Sequence, residues 1–224
     1  MKKNERKKFP RYGILPLLLT VSVNFLAYFG TRPFTDTWKH YNMETVLERK
    51  IPVIPWTVTI YFGCYLIWIV NYLFAASREK EFVRRFFVSD IMARLVCMMC
   101  YLVFPTTNIR PVLPEQGFWN QLLAWLYRID AADNLFPSIH CLNSWFCYIA
   151  VRGRKDIPRW YRRFSFWAAI AVFIATLTTK QHVIADVMGG MLLAEGMWQL
   201  AGTTRLGAWY GTVLERRRWK SRAE

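Results

Sequence analysis

Six long apolar runs, with the basic residues sorted into the loops between them, constrain this chain more than any other feature. The runs cover roughly residues 13–30, 53–75, 87–105, 137–151, 164–179 and 182–203. A helix needs about 20 apolar residues to cross the hydrocarbon core of a bilayer. The second, third and sixth runs meet this comfortably, whereas the fourth and fifth are short and borrow neighbouring residues. Charged residues are 20% of the chain and hydrophobic residues 54%, against roughly 25% charged in an ordinary soluble domain. Such a chain is too apolar to be disordered. Its net charge of +15 does not point to nucleic acid, because the basic residues lie in clusters between apolar runs. The pattern predicts one all-α integral membrane domain, residues 1–224, built as a six-transmembrane-helix bundle.

The clusters give an orientation. Lys2, Lys3, Arg6, Lys7, Lys8 and Arg11 precede the first run, and Arg78, Lys80, Arg84 and Arg85 separate the second from the third. Arg152, Arg154, Lys155, Arg159, Arg162 and Arg163 separate the fourth from the fifth, and Arg205, Arg216, Arg217, Arg218, Lys220 and Arg222 follow the last. Together these are 22 of the 30 Lys and Arg, in every second connection and so all on one side of the bundle. Because basic loops stay cytoplasmic, both termini are predicted there, with six crossings. The basic start resembles a secretory signal, but the apolar stretch is longer than a signal core and further runs follow, which favours an uncleaved first span.

Two opposite loops are long. In residues 106–136, Phe118, Leu122, Trp125, Leu126 and Ile129 recur at helical spacing, so an amphipathic helix is predicted there, lying in the outer interface or covering the bundle. The five cysteines, Cys64, Cys97, Cys100, Cys141 and Cys147, all fall in apolar runs and read as small core residues rather than a disulfide or zinc framework. Glu195 reads as a structural partner for an inner-side cation such as Arg94.

The chemistry concentrates in three histidines, all extracytoplasmic on this topology. His140 opens the fourth run, after Pro137 and Ser138; His182 opens the sixth, four residues before Asp186; Arg110 follows the third run. The starts of two inward-running helices and the end of an outward-running one therefore share one membrane depth. His182 and Asp186, four apart on a helix, are stacked neighbours; the carboxylate would accept the ring N–H and leave the other nitrogen nucleophilic. Ser138 and the free N–H groups of a first helical turn form an anion site, to which Lys180 and Arg110 add positive charge. These groups describe a phosphoryl-transfer site in which one histidine attacks and the other protonates the leaving oxygen. His40 lacks such company and reads as a loop residue. The nearby cations would repel a divalent ion, so no metal is expected.

The order Arg110-Pro111, Pro137-Ser138-Ile139-His140 and His182-Val-Ile-Ala-Asp186 resembles the type-2 phosphatidic acid phosphatase superfamily. The fuller pattern, with Asn134 before Pro137 and Gly190 after Asp186, is similar to its branch related to inositol phosphorylceramide and sphingomyelin synthases. The resemblance implies metal-independent chemistry without a cofactor, through a phosphohistidine. By position, His182 is then the nucleophile, Asp186 orients it, His140 is acid and then base, and Arg110 and Ser138 bind phosphate. Two family cations are missing: Val103 stands where a Lys is usual, and Ala175-Thr176 where Ser-Arg is usual. Lys180 is a candidate substitute. The implied activity is hydrolysis of a lipid phosphate ester or diphosphate at the outer leaflet, with a phospholipid or isoprenoid phosphate as substrate. Alternatives are transfer of a phospho-headgroup to another lipid or alcohol, and a non-catalytic transport or scaffold module. The sequence leaves the lipid, the acceptor and the oligomeric state open.

Overall fold

A computed structural model describes residues 10–204 and residue 212. The basic clusters at Lys2–Lys8 and in the tail from Arg205 onward lie outside the described residues. The chain is about 71% helical, and each of the six apolar runs contains a helix. These are α1 (Arg11–Phe29), α4 (Val58–Ala76), α5 (Lys80–Val103), α7 (Ile139–Val151), α8 (Arg159–Thr178) and α9 (Ile184–Thr203). Short helices α2 (Arg32–Thr35) and α3 (Val46–Lys50) follow α1, and α6 (Phe118–Ile129) lies between α5 and α7. Strands β1 (Tyr41–Asn42) and β2 (Thr106–Thr107) pair in parallel.

Among the described residues, three helical stretches are long and apolar enough to cross a membrane: Arg11–Thr35, Pro55–Ala76 and Lys80–Val103. The helix Ile139–Val151 is apolar but shorter. Arg159, Arg162 and Arg163 dilute the start of α8, and Asp186 and Glu195 interrupt α9.

Helix α5 packs against α1, α9 and α7, while α7 also packs against α4 and α8. A cluster that includes Phe86, Phe87, Tyr101, Leu142 and Phe146 fills the centre. Large side chains such as Leu18 and Phe25 on α1 and Leu66 and Ile69 on α4 point outward. Cys64, Cys97, Cys141 and Cys147 are buried and unpaired, and Cys100 is partly exposed.

The core also holds a charged network. Arg94 donates to both carboxylate oxygens of Asp90, at 2.9 and 3.0 Å, and to Asn143 at 2.8 Å and Tyr72 at 3.1 Å. It also donates to Asn24. Asp90 accepts from Thr20 and from Tyr72, each at 2.8 Å. The network ties α1, α4, α5 and α7 together with its charges fully paired, as burial demands. Glu195 does serve as the partner of a cation, as expected, but Arg94, the example named for it, is not that cation. Glu195 instead accepts from Arg152 at 2.8 and 2.9 Å, and from Trp145 at 3.0 Å. Arg94 lies on α5 beside its own i−4 carboxylate, a partner nearer in the chain than any on α9.

In α6, Leu123 and Leu126 are buried against Val58 and Tyr61, while Phe118, Trp119, Trp125 and Ile129 are exposed. The helix forms as expected, but its packed face centres one residue away from the predicted stripe.

Removing one partner from a buried ion pair strands the other. Arg94→Met is expected to cost about 3–5 kcal/mol of stability, and Asp90→Leu added to Arg94→Met to recover part of that loss. Denaturant unfolding of the purified protein in micelles checks both.

Candidate active site

Two helix starts meet to build the site. Ser138 caps α7: its Oγ accepts from the Cys141 N–H at 3.3 Å, and its own N–H donates to the Asp186 carbonyl at 3.0 Å. Gly190, one turn further along α9, sits against the same α7 turn. A Cβ there would collide with the Ser138 carbonyl and lie 3.1 Å from the Leu142 nitrogen. Only a residue without a side chain permits this approach. Asn134 holds the preceding loop in a left-handed turn, at φ 51°, and its Nδ2 donates to Tyr28 and Thr31 at the end of α1. Asparagine tolerates that conformation better than most residues.

His182 lies in the loop before α9, not on the helix as the spacing suggested, because the α8–α9 turn runs through Lys180 at φ 53°. Its N–H donates to the Thr176 carbonyl at 3.1 Å. Asp186, in the first turn of α9, accepts from the Val183 N–H at 2.9 Å, and the same oxygen lies 3.3 Å from His182 Nδ1. The predicted pair is thus formed through a helix-capping contact rather than by stacking along a helix. Asp186 is completely buried, and its Oδ1 has no partner.

His140 projects from the first turn of α7, and its ring centroid is 6.0 Å from that of His182. Tyr61 stacks on it at 4.3 Å, with Oη 3.4 Å from Nδ1, and Tyr65 Oη lies 3.2 Å from Nε2. Tyr61 donates its one hydroxyl proton to Asp130 Oδ2 at 3.0 Å, so towards Nδ1 it can only accept. This favours the tautomer of His140 with its proton on Nδ1. Asp130 also accepts from Tyr28, and Arg32 bonds Asp133 at 2.8 Å.

Both histidines open onto a cavity of about 300 Å³, whose walls include Phe25, Phe62, Tyr65, Trp68, Asp130, Asp133 and Gln181. Arg110 reaches it through Gln181, donating to Oε1 at 2.6 Å. Its other bonds go to the carbonyls of Tyr127, Asp130 and Ala131, and its guanidinium covers the Tyr127 ring at 4.9 Å. Burial draws the Arg110 guanidinium below its ordinary value and pushes the Tyr127 phenol up to about 12.

The structure therefore brings His140, His182 and Asp186 together, with Arg110 one residue away. It does not bring Ser138 or Lys180 to the cavity wall. The Ser138 hydroxyl is used as a cap, and Lys180 Nζ donates to the Glu48 carbonyl at 2.6 Å. Thr176 is fully buried, Val103 is exposed on α5, and His40 bonds the Trp38 carbonyl at 3.0 Å in its loop. Sequence reasoning missed Tyr61, Tyr65, Asp130 and Gln181. Only Gln181 had a local signal, its place beside His182; the side-chain Nε2 of this buried residue has no partner. Sequence reasoning also missed Glu48, which braces the site from outside by accepting from the Ile184 N–H at 3.1 Å. Burial alone would raise its carboxyl, but the Thr45 hydroxyl and backbone N–H groups outweigh it and hold it below the ordinary carboxylate range.

A family model described as the PAP2 superfamily matches residues 34–200. Comparison with curated proteins and with solved structures gives no match.

Gly190→Ala is expected to lower stability by about 1–3 kcal/mol through overpacking. Gly196→Ala, with nothing within 4 Å of its new Cβ, should stabilise α9 by up to about 1 kcal/mol; thermal unfolding of the two variants checks the contrast. Because the folded Glu48 carboxyl is depressed, its contribution is complete at neutral pH and is lost as pH falls through the folded value. Wild-type unfolding temperature should thus drop more steeply in acid than that of Glu48→Gln.

Proposed function

The chain belongs to the PAP2 superfamily, whose members are in general membrane lipid phosphatases or phosphotransferases, and from that premise we propose that it cleaves a lipid phosphate through a phosphohistidine on His182. The observation that carries this reading is the 6.0 Å separation of the two imidazoles, with Asp186 behind one of them. A phosphorus atom between the rings is within reach of both.

Asp186 accepts the Nδ1 proton of His182 and leaves Nε2 with a free lone pair. Nε2 attacks phosphorus, a P–N bond forms, and the P–O bond to the lipid breaks. Protonated on both nitrogens, His140 gives its Nε2 proton to the departing oxygen and keeps the Nδ1 proton directed at Tyr61, then takes one back on Nε2 from the incoming water or alcohol as the P–N bond breaks. Tyr61 and Tyr65 hold the His140 ring, and Asp130 fixes Tyr61. Gln181, held at its Oε1 by Arg110, offers its free Nε2–H to the equatorial oxygens and stabilises them. No metal enters this scheme.

In the membrane, the proposal is a six-crossing domain with both termini cytoplasmic and the histidines near the outer surface. The alternation of basic loops supports it, as do the directions of α5, α7 and α9 about the site. The exposed Phe118, Trp119, Trp125 and Ile129 suit α6 to the outer interface, where aromatic residues concentrate. Hydrolysis is the general activity proposed. Transfer from a phosphodiester is the second reading, and the charges lining the cavity favour it. Asp130 and Asp133 flank the histidines, and the family cations at Val103 and Thr176 are absent. A phosphodiester carries one negative charge, whereas a monoester approaches two.

His182→Ala should abolish turnover of a short-chain phosphatidic acid and the acid-labile phosphoenzyme trapped on quenching. His140→Ala should lose about 10²–10⁴-fold, but less on p-nitrophenyl phosphate, whose leaving group needs no proton. Retained turnover in the His182 variant would remove the nucleophile assignment, and loss of activity with chelator would overturn the metal-free scheme. Gln181→Leu should lower kcat/KM by about tenfold, one hydrogen bond to a charged group. Turnover of a phosphodiester lipid only with an added lipid alcohol would select the second reading.

A further inference from the structure

At the end of α7 away from His140, ~18 Å along the helix by its rise, the chain forms a second concavity. A recess of about 430 Å³ lies between the last turn of α7 and the first turns of α8, walled by Tyr148, Arg152, Arg159, Arg162, Arg163 and Trp167. A hollow of about 700 Å³ adjoins it and shares Gly153, Arg159 and Arg162.

The carboxylates near this recess are already engaged. Glu195 takes Arg152 at 2.8 Å; Glu79 takes Arg154 at 2.9 Å. Asp156 takes Arg154 at 3.2 Å and also Arg78. Among the described residues, Arg159, Arg162 and Arg163 have no carboxylate within ion-pair distance, and the Nε of Arg162 is buried without a partner. No side chain caps the start of α8, so the free N–H groups of its first turn add positive potential on the same side. Three unneutralised guanidiniums around one recess call for an anion, and the planar fork of arginine matches phosphate oxygens.

The recess does not end in polar groups. Trp167 lies one turn beyond Arg163, is 64% exposed, and packs edge-on against Phe166. This order, phosphate-binding groups at the helix end and aromatic surface running inward from them, fits an amphiphile better than a free ion. We propose that the recess binds an anionic phospholipid, its headgroup phosphate held by Arg159, Arg162 and Arg163 and its acyl chain lying along Phe166 and Trp167. The site is separate from the histidine cavity and bridges α7 to α8.

Native mass spectrometry of the full chain in non-ionic detergent tests this, with phosphatidylglycerol, phosphatidylcholine or inorganic phosphate as the added probe. Wild type should carry one more phosphatidylglycerol than R159Q/R162Q/R163Q. Affinity should fall about fivefold for each arginine removed, on the order of 100-fold in all. A lipid in the histidine cavity would appear equally in both proteins and cancels. K2Q/K3Q/K7Q removes the same charge elsewhere and should keep the lipid; millimolar phosphate should not displace it, and phosphatidylcholine should not replace it. Equal phosphatidylglycerol binding in wild type and the arginine variant, an equal loss in the lysine variant, displacement by free phosphate, or equal uptake of phosphatidylcholine would each overturn the proposal. If the triple variant fails to fold, Arg163→Gln, at an exposed position, should show the fivefold step, and its absence overturns the proposal equally.

Discussion

The contact between the starts of α7 and α9 is the constraint on which the site depends. The Ser138 N–H donates to the Asp186 carbonyl, and Gly190 leaves room for the α7 backbone one turn on. This crossing fixes the distance between a histidine in the first turn of one helix and a histidine just before the other. A side chain in place of Gly190 would push the helices apart where the separation matters most, because a misplacement of about 1 Å can cost two orders of magnitude in rate. Ser138 belongs to this contact: its N–H bonds the Asp186 carbonyl of α9, and its hydroxyl caps α7 itself.

Around that contact, polar groups are arranged so that few remain unpaired. The Asp90–Arg94 network ties four helices without leaving an open charge. Asp130 performs a related task nearer the cavity, where two tyrosine hydroxyls anchor it and one of them reaches His140. Three of the buried atoms left without partners, Asp186 Oδ1, Gln181 Nε2 and Arg110 Nε, belong to the site or its immediate support, while others such as Arg78 Nε and Arg162 Nε lie elsewhere. Buried donors left open are costly unless something else satisfies them, and on the proposed chemistry a phosphate oxygen would satisfy the Gln181 amide.

Neither residue at the two family-cation positions lines the histidine cavity. Thr176 is sealed in the interface of α8, its carbonyl accepting from Gln181 and His182. Val103 is exposed near the end of α5. Lys180 cannot replace either of them from its present place, because the turn it makes directs its amine to Glu48. The positive charge that remains near the histidines comes from Arg110 and Arg32, and Asp130 and Asp133 oppose it.

Much of this was legible in the sequence, and for a definite reason. Apolar runs report burial or lipid contact residue by residue, so the six helices and the family motifs around His140, His182 and Asp186 could be read directly. Helix ends were also nearly readable, since Pro137, Ser138 and Asn134 have backbone preferences that act locally. Partner choice was not readable. Glu195 pairs with Arg152 rather than Arg94, Lys180 turns to Glu48, and Tyr61 and Asp130, 69 residues apart, meet beside His140. These outcomes depend on how helices rotate and cross, which is set by packing across the whole bundle. The sequence thus determined which groups are available for chemistry and roughly at which end of each helix they sit. The tertiary structure decided which of them face the cavity, because a side chain's direction follows from its helix's rotation against neighbours distant in the chain.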